Sequence, residues 1–148
     1  ASKRIVGSLS FHAGLNAVLW PLGRSPRKTK DNRKHRKIAE KIANSGSFDY
    51  SSNSYKDYPT QGEFIDYAYL KYKIPALTLE VSKEKKPLKK KIIESILSKQ
   101  IQATLTFIAE LNRRRNALTF NKATSKLSYK RKLQNFDRRW KSSNYELL

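Results

Sequence analysis

The apolar positions along the chain form short runs typical of strands. Residues 4–11 are β-branched and alternating enough for one strand, and residues 17–20 form a second short apolar run that Pro21 stops. Residues 74–81 form a near-continuous apolar run, which is typical of a strand buried on both faces. The pattern therefore predicts three strands.

Helical spacing of apolar residues marks three further segments. In residues 34–43, Ile38 and Ile42 are spaced as on one face of a helix. Residues 64–72 form a short amphipathic helical pattern. A longer pattern, with apolar residues at positions i, i+4, i+5 and i+8, predicts one helix over 87–112. Residues 45–60 lack such spacing and are predicted to form a long loop, of the kind that often serves as a binding loop or lid.

The order of these segments predicts the fold class. Strands and helices interleave, which indicates an α/β fold with a mixed β-sheet flanked by helices. We expect the strands near 4–12 and 74–81 to lie side by side, with the helix 87–112 packed across one face of the sheet. Residues 1–115 are assigned to this domain, and residues 116–148, whose apolar positions are irregular, form a basic C-terminal extension.

The composition adds a strong positive charge. Lys and Arg number 32 against 12 Asp and Glu, so the formal net charge is +20, and many of the basic residues lie in 24–37 and 83–91. Such a field attracts polyanions in a salt-dependent way. No zinc-finger spacing, aromatic ribonucleoprotein strand or glycine clamp loop accompanies it. The two clusters are therefore predicted to be exposed loops that bind polyanions only non-specifically.

Other features of the composition limit the function further. No apolar run approaches the roughly 20 residues that a membrane span needs. The chain has no Cys, which excludes disulfides, thiolate zinc sites and a Cys nucleophile but leaves the compartment open. It begins Ala-Ser-Lys without Met, and we expect that its N-terminus has been processed or excised.

Few residues near the predicted strands can carry chemistry. His12 closes the first strand, where a hydrogen-bonded structural role is more common than metal ligation. The other histidine, His35, lies in a basic cluster and is expected at the surface. Glu80 lies near the end of a buried strand, where a carboxylate is either paired or functional. Open α/β sheets also place their sites at the carboxyl ends of strands.

Two segments resemble the C-terminal part of the zinc carboxypeptidases, the carboxypeptidase A-like metallopeptidases. They are residues 58–80, YPTQGEFIDYAYLKYKIPALTLE, and residues 10–21, SFHAGLNAVLWP. The resemblance extends over residues 4–111. It implies the C-terminal portion of a zinc-carboxypeptidase-like fold, and it points to a secreted or periplasmic location.

Carried over to this sequence, the resemblance gives roles to four residues. It implies that His12 is a ligand of Zn²⁺ and that Glu80 is the general base, which takes a proton from water and returns it to the leaving amine. Tyr58 would close over the substrate from a mobile loop. Ile65 would line the pocket for the terminal side chain and favour apolar or aromatic residues. The implied activity is zinc-dependent removal of C-terminal residues from peptides or proteins.

The chain also departs from the family pattern. The family's first two zinc ligands belong to an upstream His-x-x-Glu motif, which this sequence lacks, and its upstream Asn-Arg clamp for the substrate carboxylate has no counterpart here. Ala13 and Gly14 replace the usual Ser and Tyr. We therefore expect the chain to be inactive alone, with the missing N-terminal half supplied in cis or as another chain. The alternative is an inactive carboxypeptidase-like subunit that binds an anionic partner, such as nucleic acid, through its basic surface.

Overall fold

A computed structural model describes residues 5–84 and 88–113 of the chain. In chain order the elements are β1 (Ser8–His12), β2 (Asn16–Trp20), α1 (Asn32–Gly46), β3 (Tyr50–Asn53), α2 (Ser54–Asp57), α3 (Phe64–Tyr72), β4 (Ala76–Val81) and α4 (Lys90–Arg113). The predicted extension 116–148 lies outside the described residues. No helix in the described part is long and apolar enough to cross a membrane.

The four strands form one mixed sheet in the order β1-β4-β2-β3. β4 pairs in parallel with β1 and antiparallel with β2, and β2 pairs in parallel with β3. The pairing of β1 with β4 confirms that the two predicted strands are neighbours. The mixed α/β class is confirmed as well.

One face of this sheet is apolar and forms the main core. Side chains alternate between the two faces along each strand, so residues paired across the register share a face. The cluster on the apolar face joins strand residues to residues of α1 and α4; it includes Val18, Trp20, Leu77, Leu79, Ile38, Ile42, Ala103 and Phe107. Helix α4 packs mainly against α1 and contributes Ala103 and Phe107 to the core on this side of the sheet, so the prediction that it lies directly across one face is met only in part.

The opposite face, here called the polar face, carries smaller and more polar side chains. The register aligns two rows across the strands: His12, Glu80, Ala17 and Tyr50, then Ser10, Thr78, Leu19 and Ser52. Helix α3 covers the end of this face that lies away from Glu80, because Ile65 packs there in a small cluster with Ala76. Most of the chemistry-bearing residues thus lie on one side of the sheet.

The prediction of a long loop over 45–60 is wrong. This segment contains β3 and α2. The β3 sequence, YSSN, has a single apolar residue, so no alternation of apolar positions marks it. Its extended conformation is set instead by pairing with β2. Part of the basic cluster 24–37 is also helical, since α1 begins at Asn32.

The prediction that His35 lies at the surface is also wrong. His35 is 1% exposed, and its ring meets the Tyr69 ring edge-on with centroids 4.9 Å apart. Its position in α1, three residues before Ile38 and seven before Ile42, turns it towards the core with them. Its charged neighbours in the sequence hide this helical periodicity.

Burial of His35 predicts a loss of stability in mild acid. Burial lowers the pKa of His35 from 6.5, and the nearby Asp31 carboxylate partly opposes this. The unfolded chain therefore binds the proton more readily than the folded protein. The contribution of this neutral histidine to stability is complete above pH 6.5 and is lost as the pH falls through the folded-state pKa. We expect the thermal unfolding midpoint to decrease over that range, and less so in His35→Phe. An equally steep decrease in both proteins would contradict the prediction.

Candidate active site

Strands β1 and β4 bring His12 and Glu80 together at their carboxyl ends. The two residues are direct partners in the parallel register. Nδ1 of His12 lies 3.8 Å from Oε1 of Glu80, and Nε2 is within hydrogen-bond distance of Ser10 Oγ at 2.8 Å. The imidazole is 55% exposed, whereas the Glu80 side chain is only 14% exposed. The site therefore combines an accessible nitrogen donor with a largely buried carboxylate.

The two carboxylate oxygens of Glu80 differ in their surroundings. Oε2 is buried and has no partner among the described residues. A buried polar atom without a partner is costly, so this oxygen is suited to accept a hydrogen bond or a proton from a group that enters the site. Gly14 lies close by: a Cβ built on it would be 3.7 Å from Oε2. The φ of Gly14 is 145°, a conformation that strongly favours glycine.

The described residues form no complete metal site. Residues 5–84 and 88–113 contain no group of three or more His, Cys, Asp or Glu side chains that could hold a metal ion. A catalytic zinc ion needs three protein ligands and one open position. The ring nitrogens of His12 fit one of the three protein positions. A complete site therefore needs two further ligands from outside this part of the chain.

The structure places Tyr58 and Ile65 very differently. Tyr58 directly follows α2, is 69% exposed, and has no hydrogen-bond partner for its hydroxyl among the described residues. Ile65 is 1% exposed and packs with Ala68 and Ala76 between α3 and β4. The tyrosine is thus free to approach a bound molecule. The isoleucine is enclosed by its own packing.

Tyr50 is a further residue in the row that contains His12 and Glu80. Its hydroxyl donates a hydrogen bond of 2.6 Å to Asp57 Oδ1. Burial raises the pKa of Tyr50 to about 12, and the hydrogen bond to Asp57 and the charges of Asp57 and Glu80 act in the same direction. Tyr50 is therefore a neutral hydrogen-bonding group at ordinary pH.

Asp66 fixes the turn that follows β2. Its carboxylate is buried and accepts hydrogen bonds of 2.9 and 3.1 Å from the backbone N–H of Gly23. A third, of 3.1 Å, comes from the backbone N–H of Arg24. These bonds tie the first turn of α3 to the end of β2. Asp66 therefore positions the chain around the polar face.

Glu63, which is not among the predicted site residues, lies beside this turn. It immediately precedes α3, and both of its carboxylate oxygens accept from Ser54 Oγ, at 2.8 and 2.9 Å. The carboxylate also packs against Gly23, where any Cβ would overlap it. An acidic residue two positions before Ile65 is the sequence signal that points to it.

The comparisons with known proteins concern the family and the fold of the chain. The family model described as zinc carboxypeptidase matches residues 1–103. Bovine thrombin-activatable fibrinolysis inhibitor, solved in complex with tick carboxypeptidase inhibitor, is 19% identical to this chain, with a TM-score of 0.63. The match covers 72% of this chain and 39% of the inhibitor chain. Carboxypeptidase A from Helicoverpa armigera is 15% identical, with a TM-score of 0.63. The match covers 71% of this chain and 29% of the carboxypeptidase chain.

Another structure of thrombin-activatable fibrinolysis inhibitor is 19% identical, with a TM-score of 0.60. The match covers 74% of this chain and 29% of the solved chain. The chain thus spans well under half the length of these solved chains. A search of curated proteins finds no match. The family model nevertheless matches more than half of the chain, and the fold is that of the solved carboxypeptidases. The chain belongs to the zinc carboxypeptidase family.

Proposed function

We propose that this chain is the part of a zinc carboxypeptidase domain that carries the general base and one zinc ligand. The complete domain would hydrolyse the last peptide bond of peptides or proteins. The observation that carries the proposal is the pairing of His12 with Glu80, which puts an exposed imidazole 3.8 Å from a largely buried carboxylate. Such a pair suits metal-assisted hydrolysis, which needs a metal ligand and a base in the same site.

Each residue of the pair would have a separate task. Zinc, when bound by His12 and two further ligands, would polarise the scissile carbonyl and make water more acidic. Glu80 would take a proton from the attacking water while the water oxygen bonds to the carbonyl carbon. The same carboxyl would then give that proton to the amide nitrogen as the carbon–nitrogen bond breaks. The products are a shortened peptide and a free amino acid.

The two other predicted site residues would bind the substrate. Tyr58, which is exposed and follows α2, would close over the C-terminal residue and donate its hydroxyl hydrogen to the substrate. Ile65 would support the pocket for the terminal side chain from behind, since it is itself buried. The pocket would occupy the polar face between Glu80 and α3.

The remaining zinc ligands would approach along β1. This strand is at one edge of the described sheet, and the side chain of His12 projects from its last residue. Phe11 beside it is 51% exposed. Polypeptide that pairs with this edge, in cis or from another chain, would therefore come next to His12. It could complete the site without displacing any described strand.

The basic segment 24–37 supports a second property, non-specific binding of polyanions. Its residues Arg24, Arg27, Lys28 and Lys30 are exposed and form no ion pair within the described part of the chain. Binding that depends on such charges weakens steeply with salt. This segment would also be the docking surface if the chain were an inactive subunit with an anionic partner.

Reconstitution tests the proposed function. We expect this chain alone to bind zinc weakly and to leave peptides intact, because one imidazole does not make a catalytic site. Supplying the remaining part of the domain, in cis or as a second chain, should give tight zinc binding and release of the C-terminal amino acid. Metal analysis and chromatography of the products measure both. A folded complete domain that binds zinc and hydrolyses no peptide would refute the proposal.

A further inference from the structure

Tyr50 holds the end of the short helix α2, which directly precedes Tyr58. Asp57 is the last residue of this helix, and its Oδ1 accepts a hydrogen bond of 2.6 Å from the Tyr50 hydroxyl. Within residues 5–84 and 88–113, no other side chain donates to Asp57 and no Lys or Arg forms an ion pair with it. One side-chain hydrogen bond therefore joins the backbone next to Tyr58 to strand β3.

Tyr50 lies in the same row of the sheet as the proposed catalytic pair. Ala17 pairs with Tyr50 on one side and with Glu80 on the other, and Glu80 pairs with His12. Neighbouring strands are about 5 Å apart, so the backbones of Tyr50 and Glu80 are about 10 Å apart on the polar face. The bond from Tyr50 therefore keeps Asp57 on the side of the sheet that carries the pair.

The loop that follows α2, residues 58–63, is attached to the sheet by bonds on both sides of Tyr58. After Tyr58, the backbone N–H of Thr60 donates a hydrogen bond of 3.1 Å to the Gly23 carbonyl. Before it, the N–H of Tyr58 donates a hydrogen bond of 2.8 Å to the Ser54 carbonyl and closes the single turn of α2. A single helical turn is marginal by itself, so its place depends on side-chain contacts such as the one from Tyr50.

We propose that Tyr50 is a positioning residue that acts on Tyr58 through Asp57. By fixing the end of α2, it would keep the Tyr58 side chain where it can close over a substrate at Glu80. The inference rests on the proposed function, in which Tyr58 binds the substrate. Tyr50 itself would not touch the substrate. Its hydrogen bond would order the backbone before binding and so lower the entropic cost of closure.

The chemistry of the two groups suits a lasting hydrogen bond. Burial is the main factor that raises the pKa of Tyr50 to about 12, and the contact with Asp57 acts in the same direction. The phenol therefore keeps its proton and remains a donor at ordinary pH. A bond from a hydroxyl to a carboxylate is charge-assisted and stronger than one between neutral groups. Phe at position 50 would keep the ring and remove only the donor.

The test measures kcat and KM of the complete domain with one peptide substrate. Tyr50→Phe should raise KM about 3–10-fold and change kcat less than about twofold, because the lost bond assists binding and takes no part in the chemistry. Asp57→Ala should have the same effect, whereas Asp57→Asn keeps an acceptor oxygen and should restore most of the affinity. Tyr72→Phe, which removes the hydroxyl of an exposed tyrosine at the end of α3, is the matched control and should change neither constant.

A double variant shows whether Tyr50 acts through Tyr58. In a Tyr58→Phe background the hydroxyl that Tyr50 positions is absent, so adding Tyr50→Phe should raise KM much less than it does in the unmodified protein. An unchanged KM in the single variant Tyr50→Phe would overturn the inference and leave the peptidase activity standing. An equal rise of KM in both backgrounds would also overturn it.

Amide hydrogen exchange of the same proteins decides the inference even if no peptide is hydrolysed, the outcome that refutes the proposed function. Tyr50→Phe should speed exchange of the Tyr58 amide about 3–10-fold, because the turn that protects it opens more often. The Thr60 amide, which is bonded to the Gly23 carbonyl, should keep its rate. Faster exchange confined to Tyr58 would support the positioning role. Unchanged exchange at Tyr58, or equally faster exchange at both amides, would overturn it.

Discussion

Replacing Glu80 with Gln should lower kcat of the complete domain by about 10²–10⁴-fold and leave zinc bound. The amide has nearly the shape of the carboxylate but cannot take a proton from water. Glu80 makes no hydrogen bond through Oε2 among the described residues, so the substitution removes no internal bond at that atom. The loss should therefore appear in the rate of hydrolysis and not in the unfolding temperature or the metal content.

The matched control for this substitution is Glu84→Gln, which removes the same charge at an exposed position after β4. Rates of release of the C-terminal amino acid, zinc content and thermal unfolding are compared for the three proteins. A Glu80→Gln protein that hydrolyses peptides at the unmodified rate would show that another group is the base. The inactive-subunit interpretation would then be the better one.

His12→Ala should remove zinc from the complete domain and abolish hydrolysis with it. Two remaining ligands leave the ion with an open coordination sphere, and three are the rule for catalytic zinc. The His12 side chain is more than half exposed, so its removal should cost the fold little. The expected result is zinc content falling from about one ion per domain to nearly none, with thermal stability in zinc-free buffer unchanged.

His35→Phe is the control for the metal, because it removes the other histidine of the chain, which is buried in α1. That variant should retain zinc and activity near neutral pH. Dialysis against graded zinc concentrations followed by metal analysis measures the difference. Full zinc retention in His12→Ala would show that His12 is not a ligand and would remove the metal half of the proposal.

The elements with regular apolar spacing are the ones that sequence predicts well. Helix α3 coincides with the segment 64–72, and α4 and the two central strand predictions agree closely with the structure. Each of these elements buries one face, so its apolar residues recur at the spacing typical of a helix or a strand. The strand β3 leaves none, because its stability comes from hydrogen bonds to β2 and not from apolar side chains.

The candidate site is predictable only in part for a similar reason. His12 and Glu80 are found because each comes at a strand end, and parallel neighbours align such ends. Glu63 is not found, because its hydrogen bond with Ser54 and its contact with Gly23 join residues that are distant in sequence and meet only in the folded chain. His35 is wrongly predicted to lie at the surface. Its basic neighbours in the sequence indicate exposure, although it shares the buried face of α1 with Ile38 and Ile42.

The unequal faces of the sheet separate the residues that maintain the fold from those that would define the substrate. Leu77 and Leu79 belong to the main core, whereas Thr78 and Glu80 between and after them lie on the polar face. Large-to-small changes in the first pair cost about 2–5 kcal/mol, but small polar exchanges in the second set disturb no large apolar cluster. The polar face is accordingly a natural place for diversification, in evolution or in the laboratory. Apart from His12 and Glu80, its side chains can vary to accept new terminal residues while the helical side keeps the scaffold intact.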